Sequence, residues 1–332
     1  MVLATSSPAI LKFEKNQEIQ IPVIDFSAER SEVCKQISKA CEEYGFFKVI
    51  NHGVSEDFIK KMEDESLKFF GKSALEKQAA GPAIPWGYGR KNIGFNGDTG
   101  EIEYLLLSVN PVSISQVSQV VSNATDPIHF SSAVNDYVEA VKKLACNILE
   151  MMAEGLGMTD SSVFSRLIRA DDSDLLLRFN HYPPYDHHLN TNSIGFGEHT
   201  DPQILTILRS NCVSGLQISI EDGVWIPVTS DPSACFVNVG DLLQVMTNGR
   251  LMSVRHRAVN DPSKSRLSFG YFSGPPLHAK ITVLPEFITL DKPSLYKHFT
   301  WADFKKTAYS LRLKENRLKF YELSSNDDQH EY

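Results

Sequence analysis

The sequence predicts a mixed α and β fold: a double-stranded β-helix (jelly roll) core with a flanking N-terminal α/β region and supporting helices. Three observations lead there. Beyond about residue 174 the chain breaks into eight short β-type runs: LLLRFNHY, ILTILR, GLQIS, VWIPV, ACFVNV, LLQVMT, SVRHRAV and RLSFGYF. Gly, Pro, Asn, Asp or Ser turns separate them, as in an antiparallel sandwich or jelly roll. Before that point helical and strand patterns alternate. Between the two textures, residues 131–156 place apolar side chains at i, i+3, i+4 and i+7 from Val134 to Met152, one long amphipathic helix suited to lie on a sheet. The expected organisation is an N-terminal α/β region over 1–170, with the scaffold helix packed on the core, a jelly-roll core over 171–320, and a polar tail over 321–332.

The elements follow in order. From Arg30 to Tyr44, Val33, Ile37, Ala40 and Cys41 recur at helical spacing, and Gly45 stops the helix. FFKVINHG, residues 46–53, reads as a strand and turn, in which His52 serves as a hydrogen-bonded turn residue. Residues 55–71 repeat the helical period between an N-cap, Ser55, and a terminator, Gly71. Residues 81–100 hold six glycines and two prolines, which predicts an ordered functional loop rather than a regular element, followed by a strand, IEYLLLSV. Residues 110–128 are Ser/Val-rich and pattern-poor, a predicted mobile surface excursion. Helical patterning returns over 300–313, and the end, SSNDDQHEY, is polar enough to be disordered.

Composition narrows the function classes. No apolar run approaches the roughly 18–20 residues of a membrane span, and the first residues lack the basic-then-apolar order of a signal peptide. A cytoplasmic location is expected, with the nucleus also open. Five widely spaced cysteines without a CxxC pair argue against a disulfide framework or thiolate metal site. The net charge of −8 and the lack of basic blocks remove the footprint of a nucleic-acid or anionic-membrane binder. A small-molecule ligand is the partner expected; the oligomeric state is open.

The chemistry-bearing pattern lies in the β region. His199 and Asp201 are two residues apart, on one face of an extended chain. His256 follows 55 residues after Asp201, inside the alternating run VRHRAV. Two imidazoles and a carboxylate form the facial triad of non-haem Fe(II) oxygenases, which leaves three coordination positions open for a chelating cosubstrate and dioxygen. A His-x-Asp pair alone carries little weight, because it arises often by chance. Its setting adds more: Arg266 and Ser268 share a strand face ten and twelve residues beyond His256. A planar guanidinium fork with a hydroxyl beside it makes a carboxylate clamp. Two other classes fit the triad, a zinc hydrolase and a non-catalytic jelly-roll protein that binds a small acid. The first lacks a general-base motif and leaves the clamp without purpose, and the second has no need of all three ligands.

With these residues in place, the chain resembles the plant 2-oxoglutarate- and Fe(II)-dependent dioxygenases over about residues 20–315. IPVIDFS, GFFKVINHGV, NHYPP, GEHTDPQILTIL, GLQI, FVNVGDLLQVMTNGR, SVRHR, and RLS through GPP stand in family order. The resemblance implies Fe(II) held by His199, Asp201 and His256, 2-oxoglutarate held by Arg266, Ser268, Tyr182 and Asn180, and dioxygen as co-substrate. A catalytic role is implied for the three ligands and Arg266. The chain departs from the common NxYPxC pattern at Tyr185, a position that carries no ligand. Within the family, the wording around residues 81–107, GFGEHTDPQILTILRSN and the closing stretch with its RLxxxRL ending are similar to gibberellin 2-oxidases of the C19 class. That implies 2β-hydroxylation of a gibberellin coupled to oxidation of 2-oxoglutarate to succinate and CO2; a C20 gibberellin or a specialised metabolite is the alternative.

A gibberellin is a rigid apolar skeleton bearing a carboxylate, so an apolar pocket with a few cationic or hydroxyl anchors is expected. Candidates are Trp86, Tyr88, Arg90 and Lys91 from the Gly-rich stretch, Tyr104 after it, and Arg178. Packing under a long loop accounts equally well for the aromatic ones. Arg178, in the apolar run LLLRFNHY, calls for a buried anionic partner. His187 and His188 lie in a polar turn and carry no assigned role.

Overall fold

A computed structural model describes residues 20–83, 86–93, 96–121, 127–185 and 194–323. The chain runs β1 (Val23–Asp25), α1 (Arg30–Glu43), β2 (Phe46–Ile50), α2 (Glu56–Phe70), α3 (Ala74–Gln78), β3 (Gly87–Ile93), β4 (Asp98–Ser108), α4 (Pro111–Val121) and α5 (Pro127–Gly155). There follow α6 (Arg166–Arg169), β5 (Ser173–Tyr182), β6 (Ile194–His199), β7 (Leu205–Ser210), β8 (Leu216–Glu221), β9 (Val224–Pro227) and β10 (Cys235–Val239). Last come α7 (Asp241–Met246), β11 (Arg255–Val259), β12 (Arg266–Pro276), the short pair β13 (Lys280–Ile281) and β14 (Phe299–Thr300), and α8 (Trp301–Ser310).

Eight strands form the large sheet in the order β1-β2-β10-β7-β12-β5-β4-β3, and four form the small sheet, β6-β11-β8-β9. Pairing is antiparallel except between β1 and β2, so the two sheets make the predicted jelly roll. The N-terminal strands β1 to β4 extend the large sheet at both edges. The scaffold helix α5 lies across its outer face, where Phe130 meets Phe179 and Tyr137 meets Phe269. Period-2 alternation explains which face each strand residue serves. On β5, Leu175, Leu177 and Phe179 join the core under the helices, while Leu176, Arg178, Asn180 and Tyr182 face a cavity between the sheets.

The local signals at the predicted helix ends hold: Ser55 accepts a hydrogen bond from the Asp57 amide and Gly71 caps α2. His52 accepts one from the Val54 amide in its turn. Three expectations give way. Residues 81–100 are a hairpin over much of their length, β3 pairing with β4, and the Gly-rich composition has a packing cause. A side chain at Gly89 would collide with the Tyr104 ring opposite it, with a Cβ 2.2 Å from ring carbon. Residues 111–121 are helix α4 rather than an excursion, begun by Pro111 at its first position and by Asn110, whose side chain accepts from the Ser113 amide. Its buried Ile114, Ser118 and Val121 fall on one face. LLQVMT is helix α7, not a strand; a short apolar run that is buried all round reads the same in either state, and Gly240 supplies the extended N-cap. His187, His188, the end of the polar tail and residues 122–126 lie outside the described residues.

A candidate metal centre and its cavity

The register of the small sheet assembles the triad. His199, the last residue of β6, stands directly opposite His256 on β11, and their rings lie 4.2 Å apart between centroids. Asp201 follows in the turn toward the large sheet, its Oδ1 3.6 Å from His199 Nε2 and 3.7 Å from His256 Nε2. All three candidate ligand atoms lie within 4.8 Å of one another, close enough for one ion to touch each.

Hydrogen bonds set each group for that task. His199 Nδ1 lies 2.8 Å from the Gly197 carbonyl and His256 Nδ1 3.2 Å from that of Val254. Each Nδ1 therefore carries the proton and leaves the Nε2 lone pair free toward Asp201. Burial, then the neighbouring His256, hold the His199 imidazole well below its usual pKa, so it is neutral and ready to ligate. Burial opposes the Asp201 charge, but the two imidazoles and donors from Thr206 and Asn238 outweigh it and lower the carboxyl. Both donors reach the same oxygen, Oδ2, at 2.6 Å. That leaves Oδ1 as the oxygen that would bind a metal. The donor set fits Fe(II): two imidazole nitrogens, one carboxylate oxygen and an open side facing the cavity.

That cavity holds about 600 Å³. Arg266 is 2% exposed, its guanidinium lies 5.1 Å from the Tyr182 ring centre, and its Nη1 reaches Ser268 Oγ at 3.3 Å. Asn180 Nδ2 donates to the same hydroxyl at 3.4 Å. A hydroxyl that accepts twice has its own proton to give, which suits Ser268 to a carboxylate. Tyr182 is packed against Gly195, where a Cβ would sit 2.4 Å from its ring. Arg178 lies on the same face of β5, stacked 3.9 Å from the Tyr104 ring centre and 4.7 Å from that of Phe196, with Nε donating to Asn180 Oδ1 at 2.8 Å. Its expected anionic partner is replaced among the described residues by two π faces and an amide, while Nη2 is buried without a hydrogen bond.

The matches with known proteins follow this geometry. Residues 173–275 match the family described as the 2OG-Fe(II) oxygenase superfamily, and residues 21–101 one described as non-haem dioxygenase in morphine synthesis N-terminal. Gibberellin 2-beta-dioxygenase 4 of Arabidopsis thaliana is 55% identical over 314 residues, which cover 91% of this chain and 94% of that protein. The chain belongs to the 2OG-Fe(II) oxygenases. Gibberellin 2-beta-dioxygenase of Phaseolus coccineus is 48% identical, with 92% of each chain covered. Among solved structures, JOX2 in complex with 2OG, Fe and JA superposes on this oxygenase with a TM-score of 0.79 at 26% identity, over 92% of this chain and 89% of the other. The rice dioxygenase for auxin oxidation gives 0.76 at 25% identity, over 92% and 100%. The protein is thus an Fe(II)- and 2-oxoglutarate-dependent dioxygenase that acts on a small molecule, with dioxygen as co-substrate.

Of the residues expected around the substrate, Trp86, Tyr104 and Arg178 line the cavity of this oxygenase. Three do not. Tyr88 points to the other face of the large sheet, where it packs on Phe69 and donates to Glu103 at 2.7 Å. Arg90 and Lys91 are exposed on the hairpin, and Lys91 pairs with Glu101. Composition marked the hairpin, but strand parity decides which of its side chains look inward. Thr206 and Asn238 carried no assigned role in the sequence; their signal was parity, since each alternates with core residues on β7 and β10.

Proposed function

We propose that this dioxygenase is a gibberellin 2-beta-dioxygenase, which 2β-hydroxylates C19 gibberellins with O2 and 2-oxoglutarate, yields succinate and CO2, and so inactivates the hormone. Its gibberellin 2-beta-dioxygenase relatives, 46–55% identical over more than 90% of the chain, support the substrate class. The observation that carries the reading is the second cavity arginine. Arg266 and Arg178 each keep a buried nitrogen without a partner, and neither pairs with a carboxylate among the described residues. A buried unpaired charge is costly, so two such cations call for two anionic ligands. One is the cosubstrate and the other a substrate that is itself an acid.

In this reading His199, Asp201 and His256 hold Fe(II), which when bound supplies activation of dioxygen coupled to oxidative decarboxylation of the cosubstrate. Arg266 takes the distal carboxylate of 2-oxoglutarate as a fork, with Ser268 and Tyr182 donating beside it. Asn180 holds Ser268 on one side and Arg178 on the other, so the two anion sites keep a fixed spacing. Arg178 receives the gibberellin carboxylate, and Tyr104, Phe196 and Trp86 offer apolar surface to its skeleton while excluding water. The protein's share of the reaction is positioning. Incubation with labelled C19 and C20 gibberellins, Fe(II) and 2-oxoglutarate, followed by product identification, tests it. A 2β-hydroxylated C19 product is expected; turnover of C20 compounds alone, or of neither, refutes the assignment.

A further inference from the structure

The closing RLxxxRL stretch contributes a side chain whose role the site described so far does not use. Arg317 is 4% exposed, yet it lies 116 residues after Asp201 in sequence, beyond α8. Its Nη1 donates to the Thr200 carbonyl at 2.6 Å. Thr200 is the residue between His199 and Asp201, and β6 has ended at His199, so among the described residues no sheet neighbour satisfies that carbonyl. The same nitrogen lies 3.5 Å from Asp241 Oδ2. Asp241, 1% exposed, accepts from Ser253 Oγ at 2.7 Å and Thr200 Oγ1 at 3.2 Å, and its amide donates to the Asp201 carbonyl at 2.8 Å.

We infer that Arg317 is a positioning residue for the iron site: with Asp241 it braces the ligand turn from outside the jelly roll and makes metal binding depend on the docked C-terminal segment. The two distances assign the work. The guanidinium sits loosely against the carboxylate but close against the carbonyl, and a charge-assisted bond of that length fixes the peptide that sets the angle between His199 and Asp201. Asp241 offsets the charge, so of the four arginines that line the cavity only Arg317 pairs with a carboxylate among the described residues, which makes it unsuited to a ligand carboxylate. The segment itself is held by Tyr321, packed on Phe299 and Phe304, and by buried Leu318. Tyr309, Leu311 and Leu313 from the same part of the chain wall the cavity, so this wall and the metal ligands are set by one piece of structure.

Outer partners of metal ligands are typically worth tenfold to a hundredfold in affinity. The test is titration of the metal-free full chain with Co(II), a spectroscopic stand-in for Fe(II), read by calorimetry and by the visible bands of the bound ion. Arg317→Met is expected to weaken Co(II) binding about tenfold or more and to alter those bands, with Arg317→Lys falling between it and the unchanged protein. Val134→Ala, which loosens the remote core at the scaffold helix, is expected to lower thermal stability without either change. Wild-type affinity and bands in Arg317→Met overturn the inference, as does a Val134→Ala protein that reproduces the loss. Should Arg317→Met fail to fold, Asp241→Asn with Arg317→Lys carries the same test: both weakened supports the brace, both unchanged removes it.

Discussion

The two faces of the large sheet are built from the same strands, yet they differ in kind. On β12, Leu267, Phe269 and Tyr271 look toward α5, whereas Arg266, Ser268 and Phe272 look into the cavity. β7 divides likewise into Leu205 and Ile207 against Thr206 and Leu208, and β4 into Leu105 and Leu107 against Tyr104 and Leu106. One parity is almost uniformly apolar and is covered by helices. The other mixes cations, amides and aromatic rings around space that a ligand fills. The helix-covered face stabilises the fold; the second face trades part of that stability for function, leaving Arg178 and Arg266 under-paired.

Neighbouring residues of opposite parity test this division, and the largest effect belongs to the cavity side. Asp201→Ala removes the carboxylate between two imidazoles and is expected to lower succinate formation by at least about a thousandfold, with the protein still folded by circular dichroism. Activity within tenfold of the unchanged enzyme breaks the ligand assignment. Phe179→Ala is the counterpart on the core face, where the ring meets Phe130 and Phe269. It should cost about 4 kcal/mol in denaturant unfolding while turnover per folded molecule persists. The reverse pattern, full stability with lost turnover, dissolves the contrast.

A polar cluster on the helix side provides a pH probe. Burial would raise the Glu103 carboxyl, but hydrogen bonds with His181, Lys77 and Tyr88 outweigh it and hold it at about 2. A carboxyl lowered on folding contributes stability that is full above its unfolded pKa of about 4.5 and is lost as pH falls toward 2. Glu103→Gln should therefore cost about 2 kcal/mol at pH 7, and the difference from the unchanged protein should shrink between pH 4.5 and 2. A pH-independent difference argues for packing instead. The smallest expected effect is the most specific: Arg178→Ala should raise the gibberellin KM about tenfold and the 2-oxoglutarate KM less, since the neighbouring clamp survives. The opposite ranking moves Arg178 to the cosubstrate.

Much of this was legible in the sequence because period-2 alternation is a local signal. VRHRAV and RLSFGYF each fix a face from a handful of residues, and the clustering of His199, Asp201 and His256 and of Arg266 with Ser268 follows once those faces are known. The misread parts lacked such a signal. LLQVMT is buried on nearly every side, so its period is silent; the helix 111–121 is rich in serine, a weak helix former, and valine, which favours strands, so composition pointed away from a helix. In the Gly-rich hairpin, Gly89 is small because Tyr104 lies on it, a requirement set by a residue fifteen positions away. Arg317 was hidden by distance: its carbonyl partner is 117 residues upstream.

The origin of the three candidate ligands has a thermodynamic side. The imidazoles belong to the small sheet, while the carboxylate is hydrogen-bonded to Thr206 and Asn238 of the large one. An ion shared among them would cross-link the two layers of the jelly roll, and mass action would add its binding energy to folding. At a hundredfold excess of free ion over its dissociation constant the gain is about 2.7 kcal/mol. Chelation would thus do more than silence the enzyme: it would loosen the seam between the sheets, and the lifetime of the folded chain would follow the supply of iron.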